Sequence, residues 1–333
     1  MDLLNLQPHQ ISKDISSYTT MIYGGWKSGK STFAHTLLGK DALFLAFEKG
    51  YTALSGVYAQ DITSWADLYK LNAQLKKKEV KEKFKVLVID TLDIMDKLAL
   101  DYIKQTQGVD GLADIPFGKG YAMKDELIFD MLRNWQCMGY GLFFISHADS
   151  QDVEKLDENG QVRIVKSYMP TVNKRTLKIV AKMCDIIGFN YFAKNSDTGE
   201  EKRALFLRET EQYQAGSRFK YTPPVIKLSA EDFKIAIKEA IEKEEIENPN
   251  FVTDKKESSV INVEYDFDAI KKEIIELVKN YFNPNEAMEE VNKIVENHLG
   301  IGAKVMDCTE KQVQVCDIIL TELKEKAKEL NFI

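Results

Sequence analysis

The chain has 333 residues, with 45 lysines and arginines against 52 acids and a net charge of −7. That length holds one full α/β domain and a smaller appendage, and a composition 44% hydrophobic and 29% charged excludes a disordered or fibrous chain. No apolar run approaches the roughly 20 residues of a membrane span; the four cysteines lack a Cys-x-x-Cys pair, and with only four histidines neither a zinc site nor a disulfide framework is expected.

The start, Met1 to Pro8, lacks the basic and apolar segments of a secretory leader, so the expectation is a cytoplasmic protein with reduced thiols. The acidity is uneven. Residues 251–333 hold 11 Lys/Arg against 17 Asp/Glu, which leaves the first 250 residues nearly neutral. A nucleic-acid surface on such a core has to come from local basic loops rather than from bulk charge.

In chain order, Thr20-Met21-Ile22-Tyr23 reads as a short buried strand. Gly24-Gly25-Trp26-Lys27-Ser28-Gly29-Lys30-Ser31, followed by Thr32, then fits the phosphate-loop pattern G-x-x-x-x-G-K-[ST]. Gly24 and Gly29 permit a backbone whose N–H groups turn inward toward phosphate oxygens at the positive end of the helix that follows. Lys30 is placed to reach the β- and γ-phosphates, and the Ser31 hydroxyl to ligate Mg²⁺. ATP and Mg²⁺ are the expected ligands.

Ala42 to Phe47 reads as a second buried strand, with Glu48 at its end. A carboxylate there can orient and deprotonate an attacking water, or simply open the next turn. Ser64 to Lys78 has helical spacing. Lys85 to Ile89 is another apolar strand, and Asp90 at its end is either a Mg²⁺-side ligand or an ordinary strand-end acid. Gly108 to Tyr121 reads as a long glycine-rich loop. Gly141 to Ile145 is a further buried strand, ended by Ser146 and His147, the latter a γ-phosphate sensor or a structural histidine.

Residues 149–175 contain a hairpin turning at Glu158-Asn159-Gly160. Its Arg163, Lys166, Tyr168, Lys174 and Arg175 form a basic and aromatic mix suited to a single strand with stacked bases, or to a protein partner. Asp185 to Phe192 and Ala204 to Leu207 read as a later strand pair, and Ser229 opens a helix. Short apolar runs separated by helices imply a mostly parallel sheet flanked by helices. Residues 1–16 form an N-terminal extension, 17–246 the core and 247–262 a polar linker. Residues 263–333 form an acidic helical module in which Pro284 fits the first turn of a second helix and Thr309 to Gln312 a capping box.

Taken together, Gly24 to Thr32, Glu48, Asp90-Thr91 and Ser146-His147 resemble the RecA-like P-loop ATPases, and within them the phage single-domain RecA-core proteins of the Sak type that accompany recombination genes. The resemblance covers about residues 17–241. It implies a RecA-like core in which Lys30, Glu48, Asp90 and His147 serve ATP hydrolysis, with DNA-binding loops near the two segments named above. Ala215-Gly216-Ser217-Arg218-Phe219 is similar to the segment with which related hexameric helicases reach a neighbour's ATP. Arg218 matches the arginine, and Gly216 stands where a lysine is expected.

The resemblance thus implies a homo-oligomer, ring or filament, that acts on single-stranded DNA in recombination or annealing, with a single-strand-binding or annealing protein as a further partner. A helicase or helicase loader, and a nucleotide-gated scaffold, are the other readings. For the 263–333 module the alternatives are recruitment of a partner, electrostatic restraint of DNA binding, and plain stabilisation.

Overall fold

The computed structural model describes residues 4–6, 8–156, 160–194, 199–256 and 265–333. The chain forms two compact units, Met1–Ile261 and Asn262–Ile333.

In the first unit the elements are β1 (Thr20–Gly24), α1 (Lys30–Leu38), β2 (Ala42–Ala46), β3 (Ala59–Asp61), α2 (Trp65–Leu75), α3 (Lys78–Lys83), β4 (Val86–Asp90) and α4 (Leu92–Gln107). They continue with α5 (Lys119–Cys137), β5 (Gly141–Leu156), β6 (Val162–Pro170), α6 (Lys174–Met183), β7 (Ile186–Lys194), β8 (Glu201–Phe206), β9 (Val225–Lys227) and α7 (Ala230–Glu247). The sheet order is β9-β8-β7-β1-β5-β4-β2-β3, with β6 paired to the far half of β5. From β7 to β3 all pairings are parallel, whereas β6, β8 and β9 run antiparallel to their neighbours. The mostly parallel sheet flanked by helices expected from the sequence is the fold of this unit.

Strand alternation distributes the central side chains over two cores. Met21, Tyr23, Leu45, Leu87, Ile89, Leu142 and Phe144 face Trp65, Leu68, Met95, Ile128, Leu132 and Trp135 of α2, α4 and α5. Ile22, Phe44, Val88, Phe143 and Ile145 face Phe33 and Leu37 of α1 and Phe233, Ile237 and Ile241 of α7. Both faces being covered is why these strands read as continuous apolar runs. The register aligns the strand ends: Gly24 lies opposite His147 on one side and Asn190 on the other, and Asp90 lies opposite Ala46 and Ile145. Because β5 sits between β1 and β4, the residue of β5 level with the end of β1, His147, falls between the P-loop and Asp90; the strand does not end there as the sequence suggests but runs on to Leu156 in the hairpin.

Two further expectations for this unit need correcting. Gly108 to Tyr121 is not an open loop: Leu112 and Ile115 are buried against Ile103, and α5 already starts at Lys119. The polar stretch read as linker partly docks on the core. Val252–Thr253 pairs in parallel with Ile11–Ser12, Ser12 Oγ donates to Lys255 O at 2.8 Å and Lys256 Nζ to Lys85 O at 2.9 Å. Main-chain pairing needs no apolar side chains, so composition does not report it. Of the expected hairpin turn, Glu158 and Asn159 lie outside the described residues.

The second unit packs α8 (Phe267–Leu277), α9 (Met288–Leu299) and α10 (Val313–Glu329) around Ile274, Phe282, Cys316, Ile319 and Leu323. Pro284 is not in a helical first turn; it lies in the turn before α9. Thr309 and Gln312 form the expected capping box, on a short 3₁₀ turn that leads into α10.

Candidate nucleotide site

The loop after β1 is shaped by main-chain constraints. A Cβ at Gly24 would stand 2.5 Å from Asn190 O, so only glycine lets β1 approach β7 at that level. Lys27 and Gly29 take left-handed conformations, φ 53° and 87°, and Gly29 caps α1. Inside the loop the Lys30 ammonium donates to Gly24 O at 2.9 Å and Gly25 O at 2.8 Å. Burial pushes this amine down to about 8, against the opposing pull of Asp90, Glu48 and Asp93. Lys30 is thus held at the loop's centre with carbonyls standing where a stronger anion would compete.

Ser31, the next residue of α1, donates to Asp90 Oδ2 at 2.7 Å. Asp90 is 3% exposed, and burial raises its carboxyl above the usual range while the Ser31 hydrogen bond and Lys30 pull it down. The Asp90–Thr91 peptide is cis. A Cβ at Gly50 would come within 3.4 Å of Asp90 Oδ2 and 3.6 Å of Ser31 Oγ, so the absence of a side chain there keeps the space beside this pair open. No cluster of three metal-ligating side chains occurs among the described residues. One hydroxyl and one carboxylate are the donor set Mg²⁺ takes when water and phosphate complete its shell, and the pair fits that ion.

Glu48 and His147 close the site. His147 Nε2 lies 3.3 Å from Glu48 Oε1, and its Nδ1 lies 3.5 Å from Lys30 Nζ. An ammonium offers only donors, so the Nδ1 lone pair faces Lys30 and the proton on Nε2 faces Glu48. Lys30, His147 and Glu48 therefore form one line of polar contacts running from the P-loop after β1, across β5 at His147, to the end of β2. Trp26 is 79% exposed beside them, its ring edge-on to His147 at 6.4 Å.

Three further residues join the site without having been singled out in the sequence. Asp93, in the first turn of α4, accepts from Ser146 Oγ at 3.2 Å, His147 N at 3.3 Å and the Thr171 hydroxyl. Thr171 follows β6, so the carboxylate ties the switch strand to the base of the hairpin. Asn190 donates to Ser28 O and Ser28 Oγ, each at 3.0 Å, and Arg203 Nη2 to Lys27 O at 3.1 Å. The one signal for Asn190 was a polar residue inside the apolar run 186–192.

The residues expected to touch DNA are divided between the β5–β6 hairpin and the start of α6. Lys166 and Tyr168 lie on one face of the β5–β6 hairpin, the lysine 5.9 Å from the tyrosine ring centre. Arg163 is on the opposite face, paired with Glu211. Lys174 and Arg175 begin α6, and Arg175 pairs with Asp125 at 2.7 Å. Arg218 lies at the other end of the sheet: Gly216–Ser217 pairs with the start of β7, and the guanidinium binds Asp185 at 3.0 Å and Lys182 O at 2.9 Å. It makes no contact with the P-loop of its own chain.

Residues 16–219 match the protein family described as AAA domain. This chain belongs to the AAA-domain family. Over 334 aligned residues it is 32% identical to the SPbeta prophage-derived uncharacterized protein YorG of Bacillus subtilis (strain 168), covering 98% of each chain. The KaiC-like protein PH0186 of Pyrococcus horikoshii OT3 is a remote structural neighbour, 13% identical with a TM-score of 0.34 over 61% of this chain and 83% of that one. Membership makes this AAA-domain protein a P-loop ATPase in class. Among the described residues no helix is long and apolar enough to cross a membrane.

Proposed function

We propose that this AAA-domain protein binds ATP with Mg²⁺, hydrolyses it, and uses the cycle to act on single-stranded DNA in phage recombination or annealing. The observation that carries the hydrolytic part is the contact line Lys30–His147–Glu48 alongside the Ser31–Asp90 pair, all at one edge of the sheet. Lys30 exchanges its two carbonyl partners for phosphate oxygens, the change that a charge-assisted bond favours. Ser31 and Asp90 hold Mg²⁺, which when bound neutralises charge on the phosphate oxygens. Glu48 accepts the proton of the attacking water, and an acid this open to solvent can admit it. His147 registers a displaced Lys30 at Nδ1 and passes the change through its backbone to Asp93 and Thr171 at the hairpin base.

The DNA part rests on the hairpin tied to that switch, on Lys166 and Tyr168 sharing a face, and on the likeness to a prophage-derived protein. Arg218, remote from its own P-loop, serves hydrolysis only in a neighbouring copy's site, which makes a homo-oligomer part of the proposal. A single-strand-binding or annealing protein is the further partner proposed.

The test is ATP turnover with and without single-stranded DNA, with particle size measured in the same samples. DNA-stimulated turnover by an oligomer is the expected result. Tight ATP binding with no DNA-stimulated turnover overturns it in favour of a nucleotide-gated scaffold, and unwinding of a duplex would favour a helicase. Mixing Arg218→Ala with Lys30→Ala subunits tests the shared site, since no mixing ratio should leave activity simply additive.

A further inference from the structure

At the edge of the sheet opposite the P-loop, where the parallel strands begin, lies a half-open cleft of about 1080 Å³. Its walls are the segment leading into β1, the last turns of α5, the end of α6 and the docked segment at Lys256. Four cations line it, Arg133, Lys182, Arg218 and Lys256, against Asp185 as the sole carboxylate of the lining. Asp185 is already engaged, by Arg218 and by Thr19 N at 2.8 Å.

The remaining cations form no ion pair among the described residues. Arg133 and Lys182 are exposed, and neither side chain has an ion-pair partner among the described residues. Lys256 is half-buried with one hydrogen bond, to Lys85 O, although an ammonium has three donors. Burial pushes it down to about 8 against the opposing pull of Asp14 and Asp41, and among the described residues it forms no ion pair. A second, independent feature lies in the same wall: Ser16, one of the lining residues, is 9% exposed, and its buried hydroxyl has no hydrogen-bond partner. A buried hydroxyl without a partner costs stability unless something fills the place. Phe129, 45% exposed and one helical turn before Arg133 on α5, lines the same cleft.

We infer that this cleft is a second phosphate-binding site, separate from the P-loop, for a phosphate-bearing ligand: the backbone of a nucleic-acid single strand or a free polyphosphate compound. Arg133, Lys182 and Lys256 supply the charge, Ser16 donates a hydrogen bond to a phosphate oxygen, and Phe129 stacks on a base where the ligand carries one. The site does not require that ATP turnover respond to DNA.

The test uses the full chain with Lys30→Ala, which removes the P-loop's own phosphate ligand. Inorganic pyrophosphate is titrated by calorimetry and a labelled oligothymidylate by fluorescence anisotropy. Saturable binding of at least one probe is expected, weakened about tenfold or more by Arg133→Glu with Lys182→Glu. The control pair Lys97→Glu with Lys119→Glu carries the same charge change on α4 and at the far end of α5, and should shift affinity no more than about twofold. Ser16→Ala should weaken the same probe without lowering thermal stability. A response by pyrophosphate alone identifies a free polyphosphate, and a response by the oligothymidylate identifies a strand. The proposal is overturned if neither probe binds, if binding ignores the cleft reversal, or if the control pair does equal damage. ATP turnover of the chain with Lys30 intact is read separately, so loss of the hydrolytic reading and loss of this one are told apart.

Discussion

The two edges of the sheet are built on different principles. At the C-terminal edge the central charges have partners: Lys30 two carbonyls, Asp90 the Ser31 hydroxyl, Glu48 the His147 ring. At the N-terminal edge Arg133, Lys182 and most of the Lys256 donor capacity have none among the described residues. A site that must respond to the arrival of a phosphate is best prepared by weak partners that can be exchanged, with geometry fixed by the backbone. A surface that only attracts an anion needs excess charge and little preorganisation. The contrast shows that the count of basic residues, which is balanced over the first 250 positions, says little about where an anion binds.

The largest expected effect tests the ordered edge. Glu48→Gln should lower ATP turnover by about 10²–10⁴, the range for loss of a general base, while a fluorescent ATP analogue still binds; unaltered turnover would remove Glu48 from the chemistry. Next comes α5, which carries a paired cation and an unpaired one. Lys124 is 1% exposed and held by Asp96 and by Thr176 Oγ1 at 3.2 Å. Lys124→Met leaves Asp96 buried without its partner and should cost about 3–5 kcal/mol in urea unfolding.

A smaller effect comes from pH. Nucleotide favours the charged Lys30, whose burial-lowered value is about 8, so ATP affinity should hold below that point. Above it, affinity should fall by at most about tenfold per pH unit, a decline absent in Lys30→Met. The stability of the nucleotide-free protein moves the other way. A lysine lowered on folding binds fewer protons than in the unfolded chain, so its burial cost, present in full below about 8, is relieved as pH rises beyond it. The smallest effect belongs to the open edge: Arg133→Ala should change unfolding stability by no more than about 0.5 kcal/mol, since no interaction is lost.

Much of the nucleotide site was legible because its parts end apolar runs. Glu48, Asp90 and His147 each follow a buried strand, and in a parallel sheet such positions converge on one edge. Asp93 was not legible, since an acid in the first turn of a helix is commonplace until Ser146, His147 and Thr171 are seen around it. Arg203 gave no signal either, because its partner Lys27 is 176 residues away. The hairpin was legible as a hairpin, but strand alternation put Arg163 on the face away from Lys166 and Tyr168, and basic composition carries no information about faces.

The sequence alone set the sheet's apolar strands, the phosphate loop and Glu48, Asp90 and His147 as the polar residues after three buried runs, because hydrophobic period and glycine placement are local properties. Tertiary structure decided the rest. It placed β5 between β1 and β4, so that His147 bridges Lys30 and Glu48. It paired Ile11–Ser12 with Val252–Thr253 across the chain, and it gathered Ser16, Arg133, Lys182, Arg218 and Lys256 around one cleft. Those arrangements depend on which distant segments pack together, and no window along the chain contains both partners.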